Sequence, residues 1–361
     1  MNRDLIVCCP DSFKGTATAQ QAARALANGA RSLRPRDSDG TWDVVEAPMA
    51  DGGEGTAELL AGPTGTPHEV ATVDAIGRPT TAVWWSDPQG TTCYLDLAAA
   101  SGLPTVSDAK DPLNASTVGT GLVIRDCLLN APGITTVVLC LGGSATTDGG
   151  AGIVEALLNP TDLAADAADR LHERLSTINW VLAHDVMTPP REAAQVFGPQ
   201  KGASPEQVDI LTARLLAWCD HCGVDPDTPA YGAAGATAVG IAHLCRALGS
   251  TMTMRIGADL VARTTGLLEL LPRCALLITG EGRIDDQSHV GKVAGYLIDA
   301  AKEHNVPVHL VAGEVDREAI VVKQATAWTQ LTGPMSNTLA DLETAGAEAV
   351  QRLCDSQAQE G

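Results

Sequence analysis

The sequence predicts an α/β protein in which a second, mixed domain is inserted into a parallel α/β domain. Short aliphatic runs alternate with helical stretches, and one segment of alternating apolar and polar residues interrupts this series. A length of 361 residues is enough for two domains. We place the parallel domain at 1–62 and 259–361, and the inserted mixed domain, with an antiparallel meander, at 63–258.

The parallel domain is predicted from repeated strand, loop and helix patterns. LIVCC precedes an Ala-rich stretch in which Thr18 and Gln21 have capping-box spacing. WDVVEAP is followed by MADGGEGTAELLAG, and CALLITG precedes the helical GYLIDAAKEH and the strand VPVHLVAG. Strands that are covered on both faces are near-continuous apolar runs, so these segments favour a parallel sheet.

The inserted domain is predicted from a change in periodicity between about 66 and 100. TTAVWWS, a DPQG turn and TTCYLDLA alternate apolar and polar residues, which is typical of an antiparallel meander. The buried run VVLCL then leads into GGSATTDGGAGIVEALL, another strand, loop and helix, and residues 161–176 form a polar, Ala-rich helix.

Composition excludes several classes of partner. The chain has 24 Lys and Arg against 44 Asp and Glu, a formal charge of −20, which would repel nucleic acid and an anionic membrane. An anionic small substrate must therefore meet local cations, backbone N–H groups or a divalent metal. The N-terminus fits no signal peptide, and the ten cysteines are dispersed, so we expect a cytoplasmic protein.

Four loops rich in glycine and acid follow predicted strands, where ligands bind in parallel sheets. They are Asp11–Gly15, Asp51–Thr56, Gly142–Gly150 and Gly280–Asp285. Each alone is explained by a tight turn whose acid caps the next helix. Together they favour a phosphate site, because glycine allows close backbone approach and carboxylates hold Mg²⁺ beside phosphate oxygens.

Three common enzyme motifs do not account for these loops. No G-x-x-x-x-G-K-[ST] is present, and Asp285 stands where a dinucleotide fingerprint needs its third glycine. Thr146 stands where a nucleophile elbow needs its last glycine. Lys201 and Lys292, each beside a glycine, are further candidate anion contacts, although an exposed loop lysine is most often solvated.

A series of motifs resembles the bacterial type-1 glycerate kinases. In chain order they are PDSFKG, MADGGEGT, STVGTG, LGGSATTDGGAG, FGPQKGA, GAAGA and TGEGRID followed by GK. The resemblance covers most of the chain from residue 10 to about 313. It implies ATP-dependent phosphorylation of D-glycerate, with 2-phosphoglycerate favoured over 3-phosphoglycerate. It also implies a flavodoxin-like parallel domain, an inserted domain and an active site in the cleft between them.

The sequence departs from the family pattern at three places. Where the family has Asp-Val-x-Asn-Pro-Leu, residues 185–190 of this chain are DVMTPP. Where the family has STYGTG, Val118 replaces the tyrosine. The stretch between Leu158 and Asp185 is also shorter than in the family. These changes bear on acceptor preference and on the local fold of the inserted domain.

The hypothesis assigns roles by chemical type and loop position. Asp285 is the predicted base, with Asp148 and Asp185 as the other candidates, and Lys14 neutralises substrate charge, as Lys201 or Arg283 would. The predicted catalytic residues are Asp285, Lys14 and Asp185. The predicted ATP-binding residues are Gly142, Gly143, Ser144, Thr146, Thr147, Asp148, Lys201, Gly282, Arg283 and Lys292, and the predicted Mg²⁺ ligands are Asp51, Glu54 and Glu281.

Two other functions use the same parts. A Mg²⁺-dependent phosphatase of a small phosphate ester would hold its metal in the acidic loops, and a non-enzymatic sensor would close on a carboxylate ligand. The sequence leaves these alternatives open, and it leaves open whether the chain forms a homo-oligomer.

Overall fold

The computed structural model describes residues 3–33, 42–285, 288 and 291–360. The chain divides into two compact units: unit 1 comprises Met1–Asp51 and Ala258–Gly361, and unit 2 comprises Gly52–Gly257. The sequence placed the first boundary later, after residue 62, and the second after residue 258. Among the described residues, no helix combines the length and the apolarity needed to span a bilayer.

The elements alternate between strand and helix along most of the chain. The strands are β1 Leu5–Cys8, β2 Asp43–Glu46, β3 Thr66–Val73, β4 Pro79–Ser86, β5 Thr92–Asp96, β6 Thr136–Cys140, β7 Asn179–His184, β8 Thr251–Ile256, β9 Cys274–Ile284, β10 Val308–Val315 and β11 Ala327–Gln330. The helices are α1 Ala19–Ser32, α2 Thr56–Ala61, α3 Ala98–Ser101, α4 Val118–Asn130, α5 Ala151–Leu158, α6 Ala165–Thr177, α7 Pro190–Phe197, α8 Pro205–Cys222, α9 Ala233–Leu248, α10 Gly257–Thr264, α11 Leu267–Leu270, α12 Val293–Glu303, α13 Ile320–Gln324 and α14 Thr338–Glu360.

Unit 1 is built on a parallel sheet with the order β2-β1-β9-β10-β11. Counted within the unit, this is the order 2-1-3-4-5 of flavodoxin-like folds, which confirms the predicted fold class. β1 is buried along its whole length, as a strand covered on both faces must be. Ligand chemistry in such a sheet belongs at the carboxyl ends of the strands.

Helix α1 begins where the sequence predicted it. Thr18 and Gln21 form the capping box, since the Thr18 hydroxyl accepts from the N–H of Gln21 and the Gln21 side chain accepts from the N–H of Thr18. α1 packs against α14 at two glycines. A Cβ at Gly29 would lie 1.8 Å from the Glu343 carbonyl oxygen, and one at Gly346 would lie 2.1 Å from that of Leu26. Only glycine allows the two backbones to come this close.

Unit 2 is built on a mixed sheet with the order β3-β4-β5-β6-β7-β8. β3, β4 and β5 pair antiparallel, which confirms the predicted meander, and β5 through β8 pair parallel. Its core is mainly aliphatic, with Trp84 and Trp180 as buried aromatics. The parallel half places the loops after β5, β6 and β7 at one edge of the sheet.

One loop prediction is wrong. The sequence ended the late strand at Gly280, but β9 continues through Ile284 because β10 continues beside it. The pairs Glu281↔Ala312 and Arg283↔Glu314 extend the ladder. Gly280 and Gly282 are therefore strand residues, and a Cβ at Gly280 would lie 1.8 Å from the Val311 carbonyl oxygen.

Candidate active site

Acidic side chains lie near the carboxyl ends of three neighbouring strands in unit 1. Asp11 follows β1, Asp51 follows β2, and Glu281 lies near the end of β9. The N–H of Asp11 donates to the Gly280 carbonyl at 2.8 Å, which joins the first and third of these positions. Lys292, directly before α12, places its Nζ 3.3 Å from Oδ2 of Asp51.

Two acids of this cluster, Asp11 and Glu281, have raised pKa values. Burial, with the nearby charge of Asp51, raises the pKa of Asp11 to about 8. Burial also raises the pKa of Glu281 to about 7, against the opposing charge of Lys292. Taking carboxylates out of water favours their neutral form, and a cation bound beside them would favour the charged form and lower both pKa values. Asp11 lies in one of the four loops that the sequence predicts to form the site, but it is not among the predicted site residues.

The cluster offers the donor type that Mg²⁺ prefers. Glu281 keeps one buried oxygen, Oε1, without a hydrogen-bond partner in the described part of the chain, and a hard cation is a natural partner for such an oxygen. Glu54, the third predicted ligand, lies in unit 2 on the exposed turn before α2. Within residues 3–33, 42–285, 288 and 291–360, no group of three or more acidic, His or Cys side chains is arranged to hold a metal.

Lys14 and Asp285 lie on turns at the same strand ends of unit 1. Lys14 is exposed at the tip of a turn closed by the Phe13 and Ala17 backbones, with Gly15 at φ +79°. Asp285 directly follows β9, and its Oδ2 lies 3.3 Å from Nε of Arg283. The sequence places this cation two residues before Asp285, and the ion pair is present.

The glycine loop, residues 142–147, follows β6 in unit 2. Two of its N–H groups are used inside the unit: Gly142 donates to the Gly52 carbonyl and Ala145 to that of Ser101, both at 2.9 Å. The other four have no acceptor within the described part of the chain; they belong to Gly143, Ser144, Thr146 and Thr147. Ser144, Thr146 and Thr147 are buried, whereas Gly143 is exposed. Because buried N–H groups are nearly always paired, the three buried residues suit an acceptor from outside the chain.

Asp148 supports this loop from behind. Its Oδ2 accepts from the N–H and the hydroxyl of Thr117, both at 2.8 Å, and from the N–H of Gly152 at 3.1 Å. Its Oδ1 accepts from the N–H of Gly150 at 3.2 Å. The carboxylate thus stabilises the starts of α4 and α5, the supporting position that the sequence favoured for it.

Lys201 differs from the exposed anion contact that the sequence hypothesis allowed. It lies on a tight turn, residues 199–201, and only 3% of it is exposed. Its Nζ donates to Oγ of Ser144 at 3.0 Å and to the carbonyl oxygen of Thr146. Burial lowers its pKa to about 7, while Asp148 acts in the opposite direction.

Two further acids of unit 2 lie at the ends of strands. Asp185 directly follows β7. The end of β7 packs closely against the turn that contains Gly52, since a Cβ at Gly52 would lie 3.2 Å from the Ala183 carbonyl oxygen. Asp96, which the sequence treated as part of the meander, ends β5 and accepts from the N–H groups of Gly55 and Ala57, at 2.7 and 2.9 Å. Burial raises its pKa to about 6. An acid at the last position of a strand was its only sequence signal.

Comparison with known proteins identifies the family. The glycerate kinase family model matches residues 6–160 and 159–359. Glycerate 2-kinase of Escherichia coli K12 is 34% identical over 351 residues, covering 88% of this chain and 87% of that protein. Glycerate kinase of Bacillus subtilis 168 is 34% identical over 345 residues, with the same coverage of 88% and 87%.

A solved structure supports the same family. A Salmonella typhimurium LT2 protein assigned as glycerate kinase 2 superposes with a TM-score of 0.76 and 31% identity, covering 99% of this chain and 100% of that one. The chain therefore belongs to the glycerate kinase family, and it is an enzyme of the kinase class. The resemblance found in the motifs is confirmed.

Proposed function

We propose that the protein transfers the γ-phosphoryl group of ATP to the 2-hydroxyl of D-glycerate. The relatives named as glycerate kinases support the acceptor, and the name of the Escherichia coli relative, glycerate 2-kinase, supports the hydroxyl. The observation that carries the proposal is the glycine loop. Four N–H groups without an internal acceptor, two of them on the buried Thr146 and Thr147, suit the oxygens of a phosphate chain.

The roles follow from where each side chain lies. In unit 2, Gly143, Ser144, Thr146 and Thr147 contact phosphate oxygens, whereas Gly142 and Asp148 hold the loop in shape. In unit 1, Lys14 and Arg283 are exposed cations for carboxylate or phosphate oxygens, and Lys292 is the further phosphate contact. Asp285 accepts the hydroxyl proton, with Asp185 as the second candidate. Gly282 stays a predicted nucleotide contact, although a Cβ there would make only ordinary contact with the backbone of Lys14.

Positioning and charge neutralisation supply most of the catalysis in phosphoryl transfer. Asp51 and Glu281 would hold Mg²⁺, with Glu54 as the third predicted ligand. When bound, the metal neutralises charge on the phosphate oxygens. That residues of both units act on one substrate molecule stays a prediction.

Phosphorus NMR of one reaction tests the proposal. Purified protein with ATP, Mg²⁺ and D-glycerate should form ADP and 2-phosphoglycerate in equal amounts, and a reaction in excess chelator should form neither. Release of phosphate from 2-phosphoglycerate without ATP would show a phosphatase instead. Binding of D-glycerate without turnover would show a sensor, and 3-phosphoglycerate as product would overturn the choice of hydroxyl.

A further inference from the structure

Lys201 is a buried cation that faces backbone rather than solvent. Its two acceptors, the Ser144 hydroxyl and the Thr146 carbonyl, lie 57 and 55 residues earlier in the chain, on the glycine loop. Asp148 is near enough to raise the pKa of Lys201 by its charge, and its oxygens already accept from backbone and hydroxyl donors. Lys201 is therefore tied to the loop itself.

Holding the Thr146 carbonyl fixes the direction of the next N–H. The peptide unit is planar and trans, so the N–H of Thr147 points opposite to the C=O of Thr146. Because Lys201 binds that oxygen from the buried side, the Thr147 N–H points away from Lys201. This N–H has no acceptor in the described part of the chain.

The hydroxyl of Ser144 is directed in the same way when Lys201 is charged. An ammonium group can only donate, so in that form Oγ of Ser144 must accept from Nζ of Lys201. The hydroxyl proton of Ser144 must then point elsewhere, where it can donate to a further acceptor. One lysine thus sets the direction of two donors.

On the side of Lys201, the glycine loop also packs against the start of α9, and this packing restricts the Thr146 peptide. Ala234, Gly235 and Ala236 at the start of α9 all have left-handed backbone conformations. A Cβ at Gly235 would lie 2.1 Å from the Thr146 carbonyl oxygen, and the Gly235 carbonyl accepts from the N–H of Gly149 at 2.9 Å. The Thr146 peptide is therefore packed between α9 and the turn of Lys201.

We propose that Lys201 is a positioning residue that aims the Thr147 N–H and the Ser144 hydroxyl at the same anionic ligand and does not itself contact that ligand. The ligand class is a phosphate chain, and this part rests on the proposed function. The orienting role concerns the protein without ligand and can be tested separately.

Hydrogen–deuterium exchange of the ligand-free protein tests the orienting role. Lys201→Met fills a similar space without a charge or a donor, which suits a buried site. Lys110→Met is the matched control, because the Lys110 Nζ donates to the Gln200 carbonyl on the same turn from an exposed position. Exchange in the peptide that covers 142–149 should be at least tenfold faster in Lys201→Met and unchanged in Lys110→Met. Unchanged exchange in a folded Lys201→Met would overturn the proposal.

Calorimetric titration with ADP tests the ligand. Loss of two directed donors should raise the Kd for ADP by about tenfold to a hundredfold in Lys201→Met, and Ser144→Ala should give a smaller rise without fast exchange. A raised Kd with unchanged exchange would make Lys201 a direct phosphate contact. If the wild type binds no ADP, the proposed function fails, while the exchange result still decides the positioning role.

Discussion

The carboxylate of Asp148 should matter for stability and nucleotide binding rather than for chemistry. Asp148→Asn can keep an oxygen at the Oδ2 position, where three donors converge, but its amide nitrogen then faces the N–H of Gly150. One hydrogen bond is lost, and three others lose their charge assistance. At about 1 kcal/mol for the lost bond and about 0.5 kcal/mol for each weakened one, the cost is roughly 2 to 3 kcal/mol.

Scanning calorimetry measures this cost directly. For a unit the size of unit 2, 1 kcal/mol corresponds to about 2–4 °C, so the unfolding temperature of Asp148→Asn should fall by about 4–12 °C. Asp166→Asn is the control, since its pair with Arg170 is exposed and should contribute under about 1 kcal/mol. An unchanged unfolding temperature together with a kcat reduced a hundredfold would make Asp148 the base and refute the reasoning.

Four further predictions follow from other parts of the molecule. Lys14→Ala removes an exposed cation and should lower kcat/KM about a hundredfold with an unchanged melting temperature; wild-type kinetics would make it a surface residue. Asp285→Asn should lower kcat by roughly two to four orders of magnitude with little change in nucleotide affinity. A weakened nucleotide affinity in titrations together with a normal kcat would exclude Asp285 as the base. Gly235→Ala should lower the free energy of unfolding by more than about 3 kcal/mol in calorimetry, because a Cβ would meet backbone atoms. Gly249→Ala is the control: space is open around it, so its free energy of unfolding should fall by only about 1–2 kcal/mol. Equal losses in the two variants would contradict the packing argument. Asp96 has a raised pKa of about 6, so its contribution to stability is lost as pH rises from about 4 to 6, and the stability of Asp96→Asn relative to wild type should increase over the same range; a constant difference would contradict this sign.

Much of the fold could be predicted because the signals are local. The apolar run of β1, the capping box at Thr18 and the alternation in β3 to β5 depend on neighbouring residues and on the periods of strands and helices. The strand order of unit 1 came with the family resemblance. The extension of β9 to Ile284 was missed because it depends on β10, a strand that lies far along the chain.

The site was harder to predict because its decisive contacts are long-range. Asp96 meets the start of α2 across 39 to 41 residues, and Lys201 meets the glycine loop across more than 50. The turn FGPQKGA indicated a lysine beside glycines, but nothing local shows whether that lysine faces solvent or protein. Residue type and loop position therefore predicted where the chemistry lies more reliably than what each side chain does.

The contact of α1 with α14 has a consequence for how the chain is made. Unit 2 is one continuous segment, whereas unit 1 joins the first 51 residues to those after 257. During synthesis, α1 leaves the ribosome long before the helix that accommodates its Gly29 exists. Unit 2 can fold as soon as its own segment has emerged, but β1 and α1 must wait for the far end of the chain. Such distant pairing slows folding and leaves apolar strands uncovered for longer. The early exposed segment of unit 1 is thus where a chaperone would be needed most.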